Sequence, residues 1–364
     1  MKILMLSIDS SLFRSGSEAR ERLASYGRYV EEIHIVVYTK EGFRNDTIAW
    51  NVHVYPTNTK IKLLFFIHAY RKMSSIIAKN NISLITSQDA FGHVIALLAG
   101  KIFKTKVQVQ IHTDFLSPFF RKESLINYIR YLAYIFSIRR ADCIRVVSHR
   151  LQEGIVKKYK VEPSKITVLP IFTDVERLKK ERPLAEFREK YQNFNFIILM
   201  ASRLTKEKNI PLALHSFAGV VKKFPKACLV IVGDGPEKEK ISTLCDILGI
   251  SSNIFLEGWA SNISKYLKSA DLFLLTSNYE GYGRTIIEAL ILNIPVVSTD
   301  VGVAREAGAL VVKSNSVSIE KAIESFMEKK RRSEEEKITP PPAHLTPSRE
   351  EIGYLVRRSF EVCL

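Results

Sequence analysis

Apolar residues in this chain fall mostly in short unbroken runs, each closed by glycine, serine, asparagine or a charge, and seldom in strict alternation. Runs of that kind read as parallel strands buried on both faces. In the first half they lie at Lys2 to Ile8, His34 to Tyr38, Asn51 to Tyr55, Leu84 to Thr86, Val107 to Ile111, Cys143 to Val147 and Thr167 to Leu169. In the second half they lie at Phe196 to Met200, Cys228 to Val232, Asp271 to Thr276 and Pro295 to Thr299. Helical patterns separate many of them, and strands alternating with helices imply parallel sheets joined by right-handed crossovers. The expected fold class is therefore α/β, with two doubly wound, Rossmann-like domains. A chain of 364 residues suits two cores better than one. The boundary is placed near residue 172, where a strand gives way to the charged stretch Glu176 to Glu189. This gives an N-terminal domain over 1–172, a C-terminal domain over 173–330, and an exposed linker with a terminal helix over 331–364. Lys329 to Arg332 span its start, and Glu334 to Glu336 and Pro340 to Pro342 follow, before a helix from Ser348 to Val362.

The ends of the strands carry the candidate chemistry. In open α/β sheets ligands bind at the carboxyl edge, where backbone N–H groups and helix N-termini converge. After the strand at Asp271 to Thr276 comes a loop over Ser277 to Gly283 and a helix from Thr285 to Leu292. Glu280 then sits in the loop and Glu288 on the first turns of the helix, with Gly281, Tyr282, Gly283 and Arg284 between them. Ionised carboxylates accept several hydrogen bonds, which suits sugar and ribose hydroxyls. Arg203 and Lys208 follow the strand at Phe196 to Met200, and two cations there suit a diphosphate. Gly233 and Gly235 follow the strand at Cys228 to Val232 and permit a tight turn with close backbone approach.

In this order the motifs resemble the GT-B retaining glycosyltransferases of family 4 type, the glycosyl transferases group 1, over roughly Asn195 to Val312. The resemblance implies two Rossmann-like domains facing each other across a cleft. It also implies that Arg203 and Lys208 hold the donor diphosphate, that Glu280 contacts the donor sugar and that Glu288 binds the ribose. His112, in Gln110-Ile111-His112-Thr113-Asp114, resembles the family's active-site histidine. Gly16, in Ser15-Gly16-Ser17, stands where the family usually has a glycine pair near the donor phosphates. Gly302-Val303 likewise stands where two glycines are usual. The catalytic candidates are thus His112, Glu280, Arg203 and Lys208. The donor-binding candidates are Gly16, Arg203, Lys208, Gly233, Gly235, Glu280, Gly281, Tyr282, Gly283, Arg284 and Glu288. Arg20, Arg22 and Asp89 are weaker candidates on the acceptor side. No cofactor and no metal are expected, because Arg and Lys take the place of a cation and no Asp-x-Asp cluster occurs. The implied activity is transfer of a hexosyl group from a UDP- or GDP-sugar to a glycan or lipid-linked acceptor, in making a cell-surface polysaccharide or glycolipid. A sugar-nucleotide epimerase, a phosphorylase and a catalytically silent sugar-nucleotide-binding protein remain alternatives on the same fold.

Composition adds location and partners. The four cysteines are widely scattered, so neither a metal site nor a disulfide is expected and a reducing, cytoplasmic setting is the default. No apolar run is long enough to cross a bilayer. Net charge is +16, and the excess is in the first half, where Met1 to Phe172 holds 26 Lys and Arg against 13 Asp and Glu. No nucleic-acid-binding motif accompanies it. An anionic membrane surface is a better candidate partner, placing the protein peripherally at the inner face of the membrane. Two segments could serve. In Pro118 to Phe136, Leu125, Ile129, Leu132 and Phe136 are at helical spacing among Arg and Lys; the other segment is Lys60 to Lys72. Burial of either apolar stripe inside the fold is the competing expectation.

Overall fold

The computed structural model describes residues 1–61, 64–334 and 337–364, apart from the side chain of Ala185. Lys62 and Leu63, within the second membrane-facing candidate, and Glu335 and Glu336, within the acidic run, lie outside the described residues. The chain forms two units, Met1–Pro170 with Ser348–Leu364, and Ile171–Pro347.

The first unit holds eight strands: β1 (Lys2–Ser7), β2 (Glu32–Val37), β3 (Asp46–Ala49), β4 (Val52–Pro56), β5 (Leu84–Ser87), β6 (Lys106–Ile111), β7 (Cys143–Val146) and β8 (Ile166–Val168). Their order in the sheet is β3-β4-β2-β1-β5-β6-β7-β8. All neighbours pair in parallel except β3 and β4, an antiparallel pair at one edge. The helices are α1 (Glu18–Gly27), α2 (Phe65–Lys79), α3 (Ala90–Phe103), α4 (Pro118–Glu123), α5 (Leu125–Ile138) and α6 (His149–Tyr159). The segment from Pro118 to Phe136 is not one helix. Ser124 is extended between α4 and α5, and its hydroxyl accepts from the Asn127 N–H, capping α5.

The second unit opens with α7 (Val175–Lys180) and α8 (Ala185–Lys190). Six strands follow: β9 (Phe196–Ala201), β10 (Ala227–Val232), β11 (Ile254–Gly258), β12 (Leu272–Leu275), β13 (Val296–Thr299) and β14 (Leu310–Val312). They are wholly parallel in the order β11-β10-β9-β12-β13-β14. Its helices are α9 (Ile210–Lys223), α10 (Lys238–Leu248), α11 (Ser264–Leu267), α12 (Arg284–Ile291), α13 (Ala304–Ala307) and α14 (Ser316–Arg331). Every residue of β9, β10, β12 and β13 is buried, which is why these strands read as unbroken apolar runs. Three strands escaped the sequence reading. β3 is short and only partly buried, β11 has one buried residue and four half-buried ones, and β14 has one exposed residue and two half-buried ones.

The terminal helix α15 (Arg349–Glu361) packs in the first unit. A capping box between Ser348 and Glu351 starts it, and Ile352, Val356 and Phe360 bury one stripe at i, i+4 and i+8. At Gly353 a Cβ would lie 2.1 Å from the Tyr29 ring, so any larger residue would displace that ring. The helix corrects the reading of the cysteines. Cys143 on β7 is bonded to Cys363 just past α15, with Cα atoms 5.2 Å apart across a separation of 220 residues. Spacing along the sequence gave no hint of it, because the neighbourhood exists only once the chain's end returns to its first unit. Nor is the connection before α15 exposed throughout, since Leu345 is buried and its carbonyl accepts from the Tyr282 hydroxyl at 2.9 Å.

Candidate functional site

In the second unit β9 is central, with β10 on one side and β12 on the other. The chain reverses its direction of travel between β9 and β12, and this switch point opens a crevice at the carboxyl edge where ligands bind in such sheets. The loop after β9 carries Arg203 and Lys208; the loop after β12 carries Glu280. Lys208 Nζ lies 2.6 Å from Glu280 Oε1, and the Ser277 hydroxyl donates to the same oxygen at 2.8 Å. Both side chains of this pair are largely buried, at 13% and 15% exposure. The two loops are joined further by the Asn278 N–H donating to the Glu207 carbonyl at 2.7 Å and by Asn209 Nδ2 donating to Asn278 Oδ1 at 3.1 Å. Thr276 donates to the carbonyls of Lys208 and Asn209. A cation and a carboxylate are thus fixed side by side at the switch point.

Other donor-side candidates occupy different positions. Arg203 is at the rim, 78% exposed and 3.2 Å from Glu207. Glu288 is buried on α12, with Arg284 Nε 2.6 Å from its Oε1. Gly283 has φ +91° and starts α12, and Tyr282 turns inward to Leu345. Gly302, at φ +51°, sits against this loop, where a Cβ would be 2.1 Å from the Tyr282 carbonyl oxygen. Gly233 and Gly235 face the loop after β9: a Cβ would approach the Ser202 oxygen to 1.8 Å and the Leu204 oxygen to 2.5 Å. Contact between neighbouring loops therefore already demands glycine at both positions, whatever else lies beside them.

The first unit has the same logic around β1, which lies between β2 and β5. Gly16 adopts φ +73° in the loop after β1. Ser17 caps α1, accepting from the Arg20 N–H at 3.3 Å and donating to the Ser11 carbonyl at 2.8 Å. Arg20 is tied to Asp46 at 2.5 Å and to the Leu12 carbonyl, a structural role. Asp89 caps α3 through the N–H groups of Phe91 and Gly92. His112 follows β6, with Nε2 3.4 Å from Gln110 Oε1. Burial, with the charges of Arg145 and Arg22 adding to it, pushes its pKa down to about 3 and keeps the imidazole neutral.

The polar groups behind Gln110, the partner of His112, were not singled out from the sequence. Gln110 Nε2 donates to Thr86 Oγ1 at 2.7 Å, Thr86 Oγ1 to Gln108 Oε1 at 3.2 Å, and Gln108 Nε2 to the Ser359 carbonyl on α15 at 2.6 Å. A buried polar row thus runs from His112 to the last helix. Its signal was the alternation Gln108, Gln110 in β6, which imitates a solvent-facing edge. In a strand paired on both sides it marks polar groups that must find partners inside. Arg145, also buried, has an Nε with no hydrogen-bond partner.

Comparison with known proteins identifies the class. Residues 27–177 match the family described as Glycosyltransferase Family 4, and residues 183–339 match Glycosyl transferases group 1. Over 213 residues the chain is 33% identical to an uncharacterized glycosyltransferase, MJ1059, of Methanocaldococcus jannaschii, covering 56% of this chain and 51% of that protein. It is 27% identical over 298 residues to the N-acetyl-alpha-D-glucosaminyl L-malate synthase of Bacillus anthracis, covering 79% and 75%. With the alpha-monoglucosyldiacylglycerol synthase of Streptococcus pneumoniae identity is 28% over 249 residues, covering 64% and 55%. The chain thus spans about half the length of two of these relatives. Among solved structures, HepE of Anabaena in complex with UDP and glucose superposes with a TM-score of 0.70 at 19% identity, over 100% of this chain and 96% of that one. Sucrose-phosphate synthase of Thermosynechococcus elongatus gives 0.72 at 16%, over 99% and 94%. With both halves matched in order on a GT-B fold, the chain belongs to the group 1 glycosyltransferases of family 4 type.

Proposed function

We propose that the protein transfers a hexosyl group, with retention of configuration, from a UDP- or GDP-sugar to a glycan or lipid-linked acceptor in polysaccharide or glycolipid synthesis. The observation that carries this reading is the Lys208–Glu280 pair at the switch point of the second unit. In this reading Lys208 and the rim cation Arg203 neutralise the departing diphosphate, where negative charge develops. Glu280, released from Lys208 as phosphate takes its place, accepts from the sugar hydroxyls. Glu288 takes the ribose hydroxyls. Neutral His112 offers a hydrogen bond to the transferred sugar with no charge of its own. The departing phosphate oxygen receives the acceptor's proton, so no further base is needed and no metal is called for. HepE, solved with UDP and with UDP-glucose, supports a uridine donor. The diacylglycerol and malate products named for two relatives support a lipid or anionic acceptor. Arg145 and Arg22, the cations that act on His112, suit the second of these.

The test is a panel of UDP- and GDP-sugars, read by thermal shift and by slow nucleotide release, with and without inorganic phosphate. Selective stabilisation by one donor with trace hydrolysis is expected. Turnover that depends on phosphate would make the protein a phosphorylase, and conversion of the sugar-nucleotide without transfer would make it an epimerase. Binding with no turnover in the presence of acceptor mixtures would make it a silent binding protein.

A further inference from the structure

We infer that the surface formed by α3 and α5 lies on an anionic lipid leaflet. The residues at helical spacing in α5 are the ones the fold leaves in solvent: Leu125 is 76% exposed, Leu132 47% and Phe136 40%, with Ile129 between them. The face that α5 buries is made instead by Asn127, Tyr134, Ser137 and Ile138. Helices normally bury their apolar stripe, so this one is inverted. Alongside it, α3 exposes Val94, Leu98 and Ile102 at i, i+4 and i+8. The two stripes meet in a groove of about 710 Å³ lined by Val94, Leu98 and Phe136. One continuous apolar face therefore spans two helices, well beyond the scattered exposed side chains of an ordinary surface.

Charge selects the occupant. From Ala90 to Asp142 the chain has eight Lys and Arg against three acids; Asp114 is buried, and Asp142, on the groove wall, is paired with Lys106 at 2.8 Å. Arg140 stacks on the Phe136 ring at 4.0 Å, placing a guanidinium at the edge of the apolar stripe. Lys101 and Lys104 line the same groove, and Arg121 and Lys122 end α4. A second copy docked face to face would press these cations together. A leaflet with anionic headgroups neutralises them while its acyl boundary takes the apolar side chains. Among the described residues no helix is long and apolar enough to cross a membrane, so the contact is one that lies on the surface. The inference does not depend on the sugar chemistry, and its test uses no donor.

The full chain is sedimented with vesicles of phosphatidylcholine, with and without phosphatidylglycerol, at low and high salt. Binding is expected only with the anionic vesicles, weakening as salt rises. Ile129→Ser with Leu132→Ser should lower it about tenfold or more, and Lys101→Ser with Arg140→Ser by a similar factor. Should the serine pair disturb folding, judged by thermal melting, Leu125→Ser at the most exposed position gives the same reading. Unchanged binding by these variants, or no binding to either vesicle, overturns the inference. A dimer that the serine substitutions dissolve also overturns it, giving the face to a second copy.

Discussion

At the scale of single residues, the Lys208–Glu280 pair sets the strongest expectation. Removing one partner leaves the other buried and uncompensated, so each substitution affects both the site and the fold. Lys208→Ala and Glu280→Gln should each reduce glycosyl transfer by roughly a hundredfold or more. Rates near normal in both, measured with saturating donor, would show that the pocket lies elsewhere. Both residues were legible in the sequence because they lie in loops that follow apolar strands, and the carboxyl ends of such strands declare themselves. What stayed hidden was that they face each other, since the loops carrying them meet only when β9 and β12 become neighbours. Two histidines, His93 and the half-buried His112, set a second expectation. His93 is fully buried, with Nε2 near the carbonyl oxygens of Ser87 and Gln110, and burial lowers its pKa from about 6.5 to about 4. His112 is lowered further, to about 3. The unfolded chain therefore binds protons below pH about 6.5 that the folded chain does not, and stability rises with pH across that window. It should be fully present above about 6.5 and be lost progressively as the pH falls toward about 3. Thermal melting between pH 8 and 4 should show this slope, and His93→Gln should flatten it.

At the scale of elements, apolar runs located nearly every central strand to within a residue or two, because strands buried on both faces have no polar positions to blur them. Edge strands β3, β11 and β14 lacked that signature and were missed. The stripe on α5 was read correctly as a stripe, but periodicity is the same whether it faces a core or solvent. Its exposure depends on what α3 and the sheet already cover. The helix α15 was legible from its cap and its spacing, whereas its docking was not. Its buried Ile352, Val356 and Phe360 each contribute about 1.5–3 kcal/mol, comparable in sum with or larger than the 2–5 kcal/mol typical of a native disulfide. Cys143→Ser should accordingly lower the melting temperature while leaving α15 docked. Hydrogen exchange over Arg349–Glu361 that rose to the level of an unfolded segment would instead assign the docking to the sulfur bridge.

At the scale of the whole molecule, the two units differ in how they are made from the chain. The second is continuous, Ile171–Pro347, while the first is built from both ends. A chain ending at Pro347 should keep the second unit's cooperative transition and lose or sharply weaken the first unit's, as read by calorimetry. The difference also has an order in time. A ribosome delivers residues 1–170 before the second unit, yet the Gln108 amide and the Tyr29 ring wait for Ser359 and Gly353, which emerge only after all of that unit. The domain that begins first is therefore the one that finishes last, and its sheet must persist half-covered while all of the second unit is synthesised. Any interruption of synthesis before Ser348 thus removes a part of the first unit, so such incomplete copies lack an intact N-terminal unit.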